Sequence, residues 1–343
     1  MGKIKLAVIG LGNMGRRMVH HLVPRYAERV ELVALCDSRE EVLQSENKLL
    51  GNPASFSLYT DYRKLLAETD ADLVYIAVPP SLHYDAVRLA FERGIHVFCE
   101  KPLANSLEEA EEMVKLAEQT NRLNIVHFSF PLEAPVLEFR RRIAQGDVGK
   151  IQRIDLYLEF PRWPREWQQN DWISTRREGG YLLEVGIHWI QMIQQTFGRI
   201  AAVSSEIEFP SDGGLCESTV KAVMMLESGQ KIHLSGTDQR TGEEERVSLV
   251  VQGSEGLLAL ENWGNLFVGG AGEPPQPVAV EGTDEEGGLG DLPIFGQVLN
   301  LLEGRPGKAY DFRDGYEAQA VLEALRDPAA GGGWTELPKA GRS

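Results

Sequence analysis

Two short stretches of the chain carry residues suited to chemistry. The first is Cys99-Glu100-Lys101-Pro102, where a lysine follows an apolar run and precedes a proline. A lysine held at the end of a strand, partly withdrawn from water, can bind a substrate oxygen and exchange a proton with it. Glu100 beside it can anchor the backbone or a cofactor, and Pro102 stiffens the turn. The second is Glu184-Val185-Gly186-Ile187-His188. Positions i and i+4 share one helix face, so both side chains can point into one cleft. An imidazole is suited to proton transfer near neutral pH. Lys101 can bind a reacting oxygen and His188 can shuttle its proton. Glu184 orients the imidazole or binds a neighbouring hydroxyl. A metal is not expected: one carboxylate and one histidine lack a third ligand, and no HExxH pattern is present.

A third constellation points to the cofactor. Gly10-Leu11-Gly12-Asn13-Met14-Gly15 follows a strand-like run and opens a helical one. In that context GxGxxG is a dinucleotide fingerprint. Gly10 permits the tight turn, Gly12 lets a pyrophosphate approach the backbone, and Gly15 lets helix and strand pack closely. The helix N-terminus offers N–H donors and partial positive charge. Asp37 lies 22 residues past Gly15, where an acid can accept both ribose hydroxyls of NAD and repel the 2′-phosphate of NADP. NAD is therefore expected over NADP. Ser38 and Arg39 follow, and Arg39 can stack on adenine, pair with a 2′-phosphate or stay solvated. Val78 and Pro79 begin a further loop at a strand end, with Ser81 as a helix cap. His83 in this loop is either a positioning residue near the cofactor or a satisfied packing histidine.

Substrate contacts are expected from the segment before the Glu184 helix. Trp163, Trp167 and Trp172 stand within ten residues, beside Arg162, Arg165, Arg176 and Arg177. Indole faces suit the C–H faces of a sugar, and arginine suits a carboxylate or phosphate. The same segment also suits a packed loop or a subunit contact. Tyr181, Lys101 and His188 complete the expected substrate set.

The elements that must position these residues follow from hydrophobic period. Apolar runs at 4–9, 30–36, 73–78, 95–99 and 124–128 alternate with amphipathic stretches at 14–26, 82–93 and 106–119. That alternation predicts a parallel sheet covered on both faces. Ser106 and Glu109 form a capping-box pair. After residue 128 the rhythm changes to an arginine-rich helix at 136–145. Strands follow at 151–160, 201–209, 219–226, 231–236, 246–252 and 257–261, interrupted by one helix at 181–197. Hairpin-like turns favour a mostly antiparallel open sheet. Residues 269–292 are rich in Gly, Pro and acid and are expected to form a mobile loop. Helices follow at 293–303 and 312–326, then a loosely held tail from 328. The expected division is a nucleotide-binding domain over 1–127 and a substrate-binding and oligomerisation domain over 128–343.

GLGNMG, the Val-Pro-Pro-x-x-His segment at 78–83, Glu100-Lys101-Pro102 and the GGxxxxxGxH segment at 179–188 occur in one order and spacing. In these the chain resembles the Gfo/Idh/MocA oxidoreductases, glucose–fructose oxidoreductase and inositol dehydrogenase among them. The resemblance extends to Gly253–Gly256 and Asp314-Gly315. It implies an N-terminal Rossmann domain and a C-terminal α+β domain with a large open sheet that assembles dimers or tetramers. It also implies NAD(P)-dependent oxidation or reduction of sugars and cyclitols, with Lys101 as the family's lysine and a Lys-Pro bond that is often cis. Three positions depart from the family pattern. Glu184 stands where Asp is usual, Tyr181 replaces a third glycine, and no arginine occurs in Phe128-Ser129-Phe130-Pro131-Leu132. The extra methylene of Glu184 moves its carboxylate by about 1–1.5 Å if the backbone stays put.

Composition sets the remaining limits. The chain has 343 residues, enough for two domains, with 43% hydrophobic and 25% charged residues, which is ordinary for a globular protein. Its net charge of −16 argues against coating nucleic acid or an anionic membrane. Cys36, Cys99 and Cys216 form no CxxC pair, which predicts neither a disulfide framework nor a thiolate metal site. No run of about 18 apolar residues is present, and no leader pattern opens the chain. A cytoplasmic protein is expected. Two other functions fit the same residues: a nucleotide-binding sensor or structural subunit without turnover, and an enzyme that keeps NAD bound and recycles it in a net non-redox reaction.

Overall fold

The computed structural model describes residues 2–51, 55–168, 171–280, 292–327 and 331–338. They form two compact units. One comprises Met1–Phe128 and Asp291–Tyr316, the other Ser129–Gly290 and Glu317–Ser343.

The first unit is built on a six-stranded parallel sheet. Its strands are β1 (Ile4–Ile9), β2 (Val30–Cys36), β3 (Ser57–Tyr59), β4 (Leu73–Ile76), β5 (His96–Cys99) and β6 (Asn124–Val126), in the order β3-β2-β1-β4-β5-β6. This is the doubly wound Rossmann order. The central strands β4 and β5 are almost wholly buried, as strands covered on both faces must be. Register then sets the site. Ile9 pairs with Cys36 and Ile76, Ile76 with Cys99, and Cys99 with Val126. The next residues therefore leave the sheet side by side at its carboxyl edge: Gly10, Asp37, Ala77, Glu100 and His127. Helix Leu107–Thr120 starts as its capping residues predict, with Ser106 Oγ accepting from the Glu109 N–H at 3.2 Å. Glu109 in turn accepts from the Asn105 N–H.

The segment 291–316 belongs to this unit, although the sequence reading assigned everything after 127 to the second. Helix Leu292–Leu302 explains the difference, because it buries Ile294, Phe295, Val298 and Leu299. Phe295 stacks on Phe98 and meets Tyr26 edge-on. Arg29 grips Glu303 at 2.8 Å, and Val126 N–H donates to Tyr310 O at 2.8 Å.

The second unit carries a nine-stranded sheet. Its strands are β7 (Ile151–Glu159), β8 (Ile200–Glu208), β9 (Thr219–Leu226), β10 (Lys231–Thr237), β11 (Arg246–Gly253), β12 (Gly256–Glu261), β13 (Asn265–Gly270), β14 (Gln276–Val278) and β15 (Trp334–Glu336). They lie in the order β14-β13-β12-β11-β7-β10-β9-β8-β15, and only β7 and β10 pair in parallel among the described strands. Alternate residues of β9 and β10 are buried, so one face of the sheet is packed and the other is more open. Helix Ile187–Phe197, entered through a π-helical turn at Leu182–Gly186, buries Trp189, Ile190, Met192 and Ile193.

Two stretches differ from expectation. Part of the Gly- and Pro-rich stretch expected as a loop is strand, because β14 pairs with β13 through Leu266–Val278. The tail contributes β15, whose backbone pairs with β8 through Thr335 and Val203. Residues 281–291, 328–330 and 339–343 of those stretches lie outside the described residues.

Candidate active site

The turn after β1 shows why its glycines differ. Gly10 has φ +92°, and a Cβ there would lie 2.3 Å from Ala77 O. A Cβ on Gly15 would lie 1.8 Å from Gly10 O. Both glycines are thus required by the fold. Gly12 is exposed, with nothing within 4 Å of an added Cβ. It stands at the start of helix Asn13–Arg17, which has no side-chain cap and no acid in its first turn. Open space beside bare N–H donors fits a pyrophosphate. The residues able to hold it are those of the loop from Gly10 to Gly15. Leu11 is buried, and Asn13 is exposed.

Asp37 is nearly buried, at 7% exposure. Its Oδ2 accepts from the Leu11 N–H at 3.0 Å, and its Oδ1 accepts from the Arg39 N–H at 3.1 Å. The Arg39 guanidinium donates to both oxygens. Burial opposes the charge, but the bonds from Arg39 and Leu11 outweigh it and hold the carboxyl below its usual range. Arg39 is therefore paired with the acid while more than half of its side chain stays exposed. Ser38 is exposed beside it.

At the β4 and β5 edge, His83 is fully buried. Its Nε2 lies 2.9 Å from Val78 O, and its Nδ1 lies 3.0 Å from Pro102 O. The ring ties the loop of Val78 and Pro79 to the loop of Lys101 and offers no surface of its own, so it holds the loops rather than touching a nucleotide. Glu100 is likewise inside. Its Oε1 accepts from Tyr75 OH at 2.5 Å and lies 2.7 Å from His127 Nδ1, and its Oε2 accepts from the Lys101 N–H at 3.2 Å. Burial pushes its pKa up, but the His127 charge, the bonds from His127 and Tyr75, and the Lys101 charge prevail and bring it to about 2. Glu100 is thus an anchor for the Lys101 backbone, one of the two roles the sequence left open. Lys101 itself is half-exposed, and its bond to Pro102 is cis.

In the second unit, every residue from 181 to 193 is buried except Glu184 and His188. The two lie on the shared face expected of them, across the junction of π turn and α-helix. Beside His188 stands Trp263, its ring centroid 5.8 Å away at 81°. Trp263 also meets Trp189 and Phe130. It has φ +73°, a region that bulky residues rarely occupy.

The tryptophan segment divides. Trp163 is half-buried, donates Nε1–H to Ile173 O at 3.2 Å and packs on Phe160 and Tyr181. Trp172 is half-buried, whereas Trp167 is 67% exposed. Arg165 is engaged with Glu245 through Nε at 2.6 Å and Nη2 at 3.0 Å, so its fork is not presented to an anion. Arg176 lies over the Phe209 ring at 3.7 Å. Tyr181, expected near the substrate, is wholly buried against Phe160 and Trp163. The absence of side chain at Gly236 makes that possible, since a Cβ there would lie 2.8 Å from Tyr181 Cε2.

Tyr75, His127, Trp263 and Glu217 were not singled out from sequence. His127 directly follows the β6 run, which was the available signal. Glu217 is an acid at the mouth of a strand, unremarked because its partner is 35 residues away. Among the described residues no group of three or more His, Cys, Asp or Glu is placed to hold a metal, and no helix is long and apolar enough to cross a membrane.

A Rossmann sheet with an open glycine at its phosphate turn and a lysine at its carboxyl edge, followed by a large mostly antiparallel sheet, defines a class of nucleotide-dependent oxidoreductase. Residues 4–128 match the oxidoreductase family with NAD-binding Rossmann fold, and residues 136–259 match the GFO/IDH/MocA C-terminal domain. The chain belongs to the Gfo/Idh/MocA family. D-glucoside 3-dehydrogenase of Escherichia coli is 24% identical over 97% of this chain and 97% of its own length. Levoglucosan dehydrogenase of Pseudarthrobacter phenanthrenivorans is 23% identical over 82% and 83%. The chain spans just over half the length, 56% and 55%, of two Schizosaccharomyces pombe oxidoreductases that it matches at 28% and 27% identity over 61% of its own residues. The WlbA dehydrogenase from Bordetella pertussis, solved with NADH and UDP-GlcNAcA, shares the fold. Its TM-score is 0.82 at 21% identity, covering 98% of this chain and 99% of that one.

Proposed function

We propose that the protein transfers a hydride between NAD(P) and a secondary alcohol or ketone of a sugar, cyclitol or related polyol. The observation that carries this reading is the helix from 181 to 193, buried throughout except at Glu184 and His188. A packed helix that exposes only an acid and an imidazole on one face is organised for proton handling. Relatives named for sugar dehydrogenases support the substrate class.

The nicotinamide cofactor, when bound, supplies the hydride chemistry. The chain's own residues do the rest. The loop from Gly10 to Gly15 receives the pyrophosphate, and Asp37 with Ser38 and Arg39 meets the adenosine ribose, with NAD preferred. Val78 and Pro79 border the cofactor, held by His83. Lys101 binds the reacting oxygen, kept in place through its backbone by Glu100. His188 takes or returns the proton of that oxygen. Glu184 orients His188 or binds an adjacent hydroxyl. Trp167 and Trp172 offer faces to the sugar, while Trp163 and Tyr181 support that surface from within. The first unit, residues 1–127 joined by 291–316, supplies the nucleotide-binding function, and the remainder of 128–343 supplies substrate binding. The more open face of the second sheet serves assembly as a dimer or tetramer.

The test is a panel of glucosides, levoglucosan, cyclitols and sugar acids with NAD and NADP, followed at the nicotinamide absorbance. Reduction of NAD by at least one member, lost in Lys101→Met, is the expected result. Nucleotide binding with no turnover of any member would favour a sensor or structural subunit. Net conversion without release of NADH would favour a non-redox reaction on a retained cofactor.

A further inference from the structure

Beneath the helix that carries Glu184 and His188 lies an acid that the proposed reaction does not use. Glu217 has no exposed surface. It lies two residues before β9, where sheet register sets its neighbours. Thr219 pairs with Thr237, and Thr237 pairs with Glu159. Glu217, Asp238 and Phe160 are thereby gathered at one edge. From there Glu217 Oε1 accepts from the Leu182 N–H, the first residue of the π turn, at 2.8 Å.

The chain approaches this carboxylate unusually closely. Gly180 has φ +104°, and a Cβ there would lie 2.4 Å from Glu217 Oε2. A Cβ on Gly179 would lie 2.1 Å from Ile173 O. The turn into the helix is thus pressed between the acid and the preceding loop. Arg326 holds it from another direction, its Nη2 donating to Arg176 O at 2.5 Å and Gly179 O at 3.2 Å. Tyr181 OH, Glu217 Oε2 and Arg326 Nε are buried with no hydrogen-bond partner among the described residues. Burying each such atom without a partner opposes folding. An apolar residue at 217 would close this edge at lower cost, as replacements of buried charges do elsewhere. What an apolar residue cannot do is accept from the Leu182 N–H at the start of the helix.

We propose that Glu217, seconded by Arg326, is a positioning residue that fixes the first turn of this helix and so the placement of Glu184 and His188. The proposal rests on the dehydrogenase reading above. The route is mechanical: His188 is six residues beyond Leu182, about 9 Å along the helix axis. A shift of about 1 Å in a reacting group can cost roughly 100-fold in rate.

The test uses the full chain carrying Glu217→Met, which removes the acceptor of the Leu182 N–H, with Arg326→Lys as a second variant should the first fail to fold. Hydrogen exchange is followed at the amides of 182–188, together with nucleotide binding and Tm. Kinetics use whichever panel member wild type turns over. The expected result is faster exchange at 182–188 and kcat lowered at least about 10-fold, with the KM for NAD unchanged. In a Glu184→Gln/His188→Ala background, Glu217→Met should lower kcat no further. Unchanged exchange at 182–188 overturns the proposal, as does a loss of kcat that persists undiminished in that background. Failure of the dehydrogenase reading looks different. There, no panel member is turned over, or His188→Ala retains full kcat, while the exchange measurement still decides the role of Glu217.

Discussion

Arg39 lies on the carboxylate that should select the cofactor: its Nε is 3.0 Å from Asp37 Oδ1 and its Nη2 is 3.3 Å from Oδ2. The acid that would repel a 2′-phosphate and the base that would attract one are therefore paired with each other. NAD is the expected preference on the proposed reading, because Asp37 is also held by the Leu11 N–H and is nearly buried, whereas Arg39 is more than half exposed. Asp37→Ser should release Arg39 and raise the NADP/NAD ratio of kcat/KM by more than about tenfold, an effect that salt weakens. A wild-type preference for NADP at physiological salt would refute this reading of Asp37.

Lys101 and His188 are assigned to one oxygen and its proton, so their losses should not add. Lys101→Met should cut kcat/KM by roughly 10²–10⁴, the range for an acid–base group, with nucleotide binding retained. His188→Ala should fall similarly and the double variant little further. Strictly additive losses in steady-state assays would mean separate roles.

Glu184→Asp withdraws the carboxylate by about 1–1.5 Å on a helix whose neighbours are all buried and so resist following it. It should lower kcat rather than restore a family-like optimum. Faster turnover by the Asp variant would show that Glu184 serves something other than the assayed reaction.

The glycines of the first turn should separate folding from binding. Gly12→Ala meets open space and should leave Tm within a degree or two while weakening NAD binding, measured by calorimetry. Gly10→Ala places a methyl against Ala77 O at a positive φ and should cost more than about 2 kcal/mol in stability. Equal effects of the two substitutions on Tm would contradict this division.

Glu100 makes stability depend on acid. Its folded pKa of about 2 lies below the ordinary 4.5, so the stabilisation is complete above about pH 4.5 and is lost as pH falls towards 2. The span corresponds to on the order of 3 kcal/mol. Urea midpoints of wild type and Glu100→Gln should converge over that window. Parallel pH profiles would mean the acid contributes no ionised pairing.

Local signals made much of this protein legible in its sequence. β1 and β2 begin and end where the apolar runs do, and Ser106 starts its helix as a cap should. The phosphate turn was readable because its glycines act on adjacent residues. Helix Glu40–Leu49 was not anticipated: it buries only Val42, Leu43 and Glu46, too few for a clear period. The three-residue strands β3, β14 and β15 exist through pairing rather than through their own composition. The same distinction runs through the site. Lys101, Glu184 and His188 announce themselves by spacing, whereas Tyr75, His127 and Glu217 acquire their partners through sheet register across 25 to 35 residues. Tyr181 misled because bulk beside a glycine pair suggested a cleft wall, while the missing side chain of Gly236 gives it an interior berth.

The return of helix Leu292–Leu302 to the first unit has a consequence for how the protein is made. On the ribosome, β1 to β6 emerge early, but Phe98 and Tyr26 wait for Phe295, Arg29 waits for Glu303, and Val126 waits for Tyr310. The nucleotide-binding unit is thus the first begun and among the last completed. A gene cut after residue 127 would encode a sheet with one flank left bare, and such a fragment should engage chaperones or aggregate rather than stand as a miniature of the whole.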